Sequence, residues 1–180
     1  MTSKIQKSKN NNVISSFAID HITDLAGALR KRHGGPAYWI RRTLKELRVP
    51  FSVISGHRPA LVDIRLDVDG EQGAFRRVDP IRLRATRTAK AFIVSTIENE
   101  FPIEQLRLLH GVIVVDLQGF VRNARASGTL LHIPPSLARR ITIAKVTASE
   151  FAYLEQALIA SQKKRILIVT HGGTGFEIFH

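Results

Sequence analysis

The chain has 180 residues, 44% hydrophobic and 23% charged, the composition of one folded domain with a core and not of a disordered polymer. Its net charge of +12 favours anionic ligands, yet the basic residues are scattered in small groups with few interleaved aromatics, so a dedicated nucleic-acid surface is the weaker reading. The absence of cysteine excludes disulfides and thiolate zinc sites and suits a reducing cytoplasm, and no apolar run reaches the roughly 20 residues that span a bilayer.

Residues 1–12, MTSKIQKSKNNN, are polar and basic with no apolar segment behind them, and read as a disordered tail and not as a secretory signal. Val13 to Ile19 is mostly apolar and reads as a buried strand ending on the carboxylate of Asp20. A loop-like stretch, HITDLAGALRKRH, leads to Gly34 and Gly35. From Pro36 the residues Ala37, Ile40, Leu44 and Leu47 recur at steps of 3, 4 and 3, a helical stripe, while Arg41, Arg42, Lys45 and Arg48 take the other face. Pro36 suits the first turn, where a missing N–H costs nothing, and Pro50 marks the end. FSVIS (51–55) is a short strand. LVDIRLDV (61–68) alternates strictly, with Val62, Ile64, Leu66 and Val68 facing one way, as a half-exposed strand does. Asp69-Gly70 is a two-residue turn signal, and EQGAFRRVDPIRL can return as the partner strand. A polar-faced hairpin, about 61–84, thus interrupts the pattern.

Strand and helix signals then alternate. AFIVS (91–95) is a buried strand, PIEQLRLLH (102–110) a helix begun by Pro102, and GVIVVD (111–116) a strand ending on Asp116, followed by LQGFVR. ITIA (141–144) is a strand, Ala148 to Gln162 carries a helical stripe of Phe151, Leu154, Leu158 and Ile159, and RILIVT (165–170) is a strand before HGGTG and FEIF. This alternation predicts an α/β domain over residues 13–180, a parallel sheet with helices on both faces. Ligands of such sheets sit beyond the carboxyl ends of the strands. The groups expected there are Asp20, Asp116, the stretch from Lys145 to Glu150, and THGGTG.

Taken singly, each group has two readings. Gly34-Gly35 is either a flexible helix entry or a place where backbone N–H groups approach a ligand's oxygens. HGGTG lacks the lysine and hydroxyl residue of a phosphate-binding P-loop, and FEIF reads as a strand, so a dinucleotide fingerprint is not supported and a turn between strands is the plain alternative. Asp20 and Asp116 fit either hydroxyl binding or turn capping. His57, His110, His132 and His171 show no metal-ligand spacing, and there is no Gly-x-Ser-x-Gly elbow.

Together, over about residues 13–179, these phrases resemble the ribokinase-like family, the carbohydrate kinases labelled PfkB. The strand ending on Asp20 resembles the family's sugar-binding start, GGPAYW its di-glycine motif, and the hairpin its lid. IENEF (97–101) and VIVVDLQGFVR (112–122) are similar to family phrases. KVTASE (145–150) is similar to Lys-Pro-Asn-x-x-Glu, and ILIVTHGGTGFEIF to the strand and turn beside the nucleotide. The resemblance implies a ribokinase-like three-layer α/β/α sheet, Rossmann-like, with a small β lid hairpin. It implies a cytoplasmic kinase that uses ATP and Mg2+ to phosphorylate a hydroxyl of a sugar or nucleoside. Asp20, Gly34, Gly35 and Asp116 would bind the substrate, and Thr147, Glu150, Thr170, Gly172 and Gly175 the nucleotide and Mg-phosphate, with no direct metal ligand assigned.

The sequence also departs from the family. Pro36 stands where many members have Asn, Thr147 where the magnesium-organising Asn is expected, and Ser15 at an early glycine. The family's Gly-Ala-Gly-Asp segment, with the anion hole and the catalytic base, has no match through His180. The expectation is therefore a C-terminally truncated domain, weakly active or inactive as this chain. The alternatives are a non-catalytic sugar-binding module held by Asp20, Gly34, Gly35 and the lid, or a basic nucleic-acid-associated protein with steeply salt-dependent binding. An uncovered sheet face or the lid would favour self-association. No membrane partner is expected.

Overall fold

Residues 6–7, 10–68 and 70–180 are described by the computed structural model of the chain. Short Val- and Ile-rich runs, most of them alternating buried with half-buried residues, form the centre of a parallel sheet. Its strands are β1 (Gln6–Lys7), β2 (Asn11–Ser15), β5 (Phe51–Ile54), β8 (Arg87–Ser95), β9 (Leu109–Asp116), β10 (Ile143–Thr147), β11 (Ile166–Thr170) and β12 (Phe176–Phe179). They lie in the order β12-β11-β10-β9-β8-β2-β5, with β1 beside β8. Every described pairing is parallel except β11 with β12, which close the HGGTG turn as an antiparallel hairpin. Ile14, Phe92, Val94, Ile113, Val115, Ala144, Val146 and Leu167 carry the main core from strand to strand.

The winding reverses between β2 and β8. From β2 the chain returns through α1 (Pro36–Glu46) to β5 on one side. From β8 it steps the other way, through a 3-10 turn (Ile103–Leu108) to β9, through α2 (Gln118–Ala126) and α3 (Pro135–Ala138) to β10, and through α4 (Ala148–Phe151) and α5 (Gln156–Lys163) to β11. Right-handed crossovers then put α1 on one face of the sheet and the later returns on the other. Such a reversal opens a crevice at the carboxyl ends of the two central strands.

A second sheet stands over that crevice. Its order is β4-β3-β6-β7, from β3 (Ala18–Thr23), β4 (Leu29–Gly34), β6 (Ala60–Asp67) and β7 (Gly70–Arg77). Ala18, Ala60, Val62 and Ile64 form its apolar underside, packed with Ile97 from the loop after β8. Four chain crossings join it to the main sheet: Ser16-Phe17, Gly35, the segment 55–59, and the segment 78–86. The third and fourth crossings are clamped together. Arg58 donates to both oxygens of Asp79 at 3.1 Å from Nε and Nη2, and its backbone N–H adds a bond at 3.2 Å. The Arg58 hydrogen bond holds the Asp79 carboxyl below its usual range.

Several expectations are corrected here. Residues 13–20 are not one strand, because β2 stops at Ser15 and the chain crosses to the second sheet, so Asp20 sits inside β3 and not at a strand end. The supposed loop at 21–33 is most of the β3–β4 hairpin. The lid is thus a four-stranded sheet, and its hairpin 60–77 stops short of 84, since Ile81 and Leu83 are buried in the main core. The helix predicted at 102–110 is a 3-10 turn that gives way to β9 at Leu109. The long stripe from Ala148 splits into α4 and α5, and the strand placed at 141–144 runs 143–147. The first strand begins at Asn11, ahead of Val13, while residues 1–5, 8–9 and the turn residue Asp69 lie outside the described residues. Of the α1 stripe, Ala37 is buried and Ile40 and Leu44 half-buried, but Leu47 falls past the helix end and is exposed.

Candidate functional site

Between the lid sheet and the ends of β2 and β8 lies a cavity of about 800 Å³. The lid supplies Ala18, Asp20, Arg32, Val62, Ile64 and Phe75 to its lining; the entry to α1 supplies Gly35, Pro36 and Trp39; the loop after β8 supplies Thr96 and Ile97; and α2 supplies Gln118, Arg122 and Arg125. This is the crevice that the reversal of winding creates.

Asp20 is buried to 6% exposure on β3, with Arg32 of β4 reaching its Oδ2 at 3.5 Å. Diagonally across the hairpin stands Gly34, the register partner of Ala18, where a methyl group would lie only 2.1 Å from that same oxygen. The first glycine of the pair therefore leaves room for the carboxylate. Gly35 serves a different end. It caps α1 at φ 80°, ψ 159°, a conformation open essentially to glycine alone, and a Cβ there would sit 2.7 Å from both Ser16 O and Ala18 N. Its successors start the helix at once: Pro36 needs no N–H partner, and Ala37 N–H donates to Ser16 O at 3.1 Å.

The loop after β8 is built around Glu100. This carboxylate is buried, and its two oxygens accept the backbone N–H groups of Ile97 and Glu98, each at 2.9 Å. The loop so fixed presents Ile97 O, which accepts a bond from Arg122 Nη1. Glu100→Gln turns an amide N–H2 toward a backbone donor. We expect a loss of about 2 kcal/mol, read as a lower urea midpoint at constant m; an unchanged midpoint would show that these bonds do not hold the loop.

Asp116 ends β9 but is not among the residues lining the cavity. It accepts from Ser95 Oγ at 3.3 Å, from Gln118 N–H at 3.3 Å and from Lys145 Nζ at 3.4 Å to each oxygen, tying β8, β9, β10 and α2 together at the sheet edge. Farther along the same edge, Thr147 and Thr170 are register partners at the ends of β10 and β11. Thr147 caps α4 reciprocally with Glu150: Thr147 Oγ1 accepts from Glu150 N–H at 3.3 Å, and Glu150 Oε2 accepts from Thr147 N–H at 3.0 Å. Gly172 and Gly175, at φ 62° and 112°, frame an exposed turn with open space around both. These residues share an edge with the cavity, β10 two sheet spacings from β8, about 10 Å, and β11 three, about 14 Å. Among the described residues no group of three or more His, Asp or Glu is placed to hold a metal ion alone.

Arg32, Trp39, Arg122 and Arg125 were not among the sequence-derived site residues. For α2 the signal was present: Gln118, Arg122 and Arg125 are spaced by 4 and 3, opposite the buried Phe120, Val121 and Ala124.

No family model and no curated protein matches the sequence. Solved structures do. A protein described as a putative ribokinase from Thermoplasma acidophilum matches with a TM-score of 0.71 at 13% identity, over 96% of this chain and 72% of that one. Arabidopsis thaliana ribokinase, complexed with ribose and ATP, matches at 0.66 and 12% identity, over 96% and 75%. A pyrophosphate-dependent kinase in the ribokinase family, complexed with a pyrophosphate analog and myo-inositol, matches at 0.64 and 15% identity, over 94% and 75%. At such identities the likeness is one of fold, and the chain has the ribokinase-like fold: a parallel-rich sheet with helices and a β lid.

Proposed function

We propose that this chain binds a polyhydroxylated acceptor, a sugar or nucleoside, beneath its lid for phosphoryl transfer from ATP, as a PfkB-type carbohydrate kinase does. The observation that carries the reading is Asp20, a buried carboxylate on the underside of the lid, lining a cavity large enough for such an acceptor. A carboxylate accepts from two hydroxyls at once, the recognition a vicinal diol needs. Gly34 leaves room for that carboxylate, Gly35 lets α1 start against the crossing from β2 to β3, and Asp116 supports the wall by fixing the start of α2. Thr147, Glu150, Thr170, Gly172 and Gly175 would face the nucleotide along the same edge. Glu150 would hold the hydrated Mg2+ of Mg-ATP, since one of its oxygens is left over from the helix cap, and a phosphate-bound Mg2+ takes few protein ligands. The ion would neutralise charge on the transferred group. The cysteine-free chain fits a cytoplasmic setting. No helix among the described residues is long and apolar enough to cross a membrane.

A second reading, acceptor binding without transfer, is favoured by one observation. Asp20 is the one carboxylate among the described residues lining the cavity, and a residue that holds two hydroxyls is poorly free to deprotonate a third.

The test is a thermal-shift titration with ribose, myo-inositol, adenosine and Mg-ATP, paired with 31P NMR for a new phosphate ester. A ligand at 100 times its Kd adds about 2.7 kcal/mol, a rise of roughly 8 °C for a chain of this size. Shifts with a polyol and with Mg-ATP, plus the new ester, support the kinase. A polyol shift without ester supports binding alone, and no polyol shift removes both readings.

A further inference from the structure

The charges around the acceptor cavity do not balance. Asp20 shares the cavity with three guanidinium groups: Arg32 from the lid, and Arg122 and Arg125 from α2. Asp20 is already bonded to Arg32. Arg122 and Arg125 have no carboxylate partner among the described residues; both are held by aromatic rings. Arg122 lies 5.0 Å from the centroid of Phe75 and donates one N–H to Ile97 O, while Arg125 lies 5.3 Å from the centroid of Tyr153. A guanidinium has five N–H donors, so most of the Arg122 fork is left for a ligand. A neutral polyol supplies nothing to match two surplus positive charges, and covering them without an anion carries a desolvation cost.

We infer that the acceptor carries an anionic group besides its hydroxyls, a phosphate monoester or a carboxylate, and that Arg122 and Arg125 bind it. This rests on the reading that Asp20 holds the acceptor's hydroxyls. The hydroxyl end sits under β3 and the anionic end against α2. Planar, preformed guanidinium forks are suited to bidentate recognition of either anion. Arg125, in the last turn of α2, is also favourably placed against the helix dipole, which offsets the proximity of the two cations.

Isothermal titration with ribose, ribose 5-phosphate and ribonate tests this on the wild type and on Arg122→Met, Arg125→Met and Asp20→Asn. The expected result is that at least one anionic probe binds on the order of 30-fold more tightly than ribose, and that this ratio collapses toward one in Arg122→Met. Arg125→Met, at an exposed position, repeats the comparison if Arg122→Met fails to fold. Which probe gains, the phosphate or the carboxylate, names the group. Equal binding of all three by the wild type overturns the inference, and so does a ratio that both arginine variants leave intact. An arginine loss that falls on Mg-ATP or pyrophosphate instead of on the sugar also overturns it. The acceptor reading fails separately, if Asp20→Asn leaves ribose and the anionic probes equally well bound.

Discussion

Replacing Gly35 with alanine is expected to lower the stability of the chain by about 3 kcal/mol and its Tm by roughly 10 °C. Two causes add. The backbone there, φ 80° and ψ 159°, is one that a residue with a Cβ adopts only under strain. The new methyl would also press on Ser16 O and Ala18 N, both backbone atoms, which cannot swing aside as a side chain would. The damage is local to function as well, because those atoms belong to the crossing from β2 to β3 and Ser16 O receives the first N–H bond of α1. Gly27→Ala is the control. It too has a positive φ, 81°, but nothing lies within 4 Å of its would-be Cβ, so its loss should be about 1 kcal/mol. Equal losses in the two variants would show that backbone conformation alone matters at Gly35 and that the close approach does not.

Asp20→Asn should weaken acceptor binding on the order of 100-fold, the equivalent of about one hydrogen bond to a charged group. The substitution keeps the volume beside Gly34, so the pocket retains its shape while one acceptor oxygen becomes a donor. It also removes the ionic partner of Arg32. Trp39 is the single tryptophan and lines the same cavity, so its fluorescence can follow the titration directly. Unchanged affinity in a variant that melts like the wild type would remove Asp20 from the site.

Much of the sheet was legible because β11 and the carboxyl halves of β8 and β9 alternate buried with half-buried positions, so Val and Ile run on with no exposed position to break them. The same rule hid the break after Ser15. Residues 13–19 stay apolar across a change of sheet, and composition carries no mark of where a strand crosses from one layer to another. β4 was hidden for the opposite cause. Leu29 through His33 are exposed, so Arg30, Lys31, Arg32 and His33 follow no inside–outside period. A charged, solvated edge strand is a common defence against unwanted pairing, and it looks like a loop. In the site, Asp20 and the glycine pair stood out because few residue types tolerate those positions. The arginines did not, since the spacing of Arg122 and Arg125 on α2 marks a shared polar face but not what that face looks onto. Only the packing of Phe120, Val121 and Ala124 into the core turns them toward the cavity.

The strand order has a consequence for how the chain is made. β2 is an interior strand of the main sheet, between β8 and β5, and Asn12 pairs with Phe92, about eighty residues later in synthesis. The whole lid, residues 18–77, leaves the ribosome before β8 does. At typical elongation rates of 5–20 residues per second the β8-facing edge of β2 stands open for roughly 4 to 16 s. From β8 onward each strand to β12 pairs with the one before it, so the later half can assemble as it emerges. The roof of the cavity is thus complete while half of its floor has yet to be synthesised.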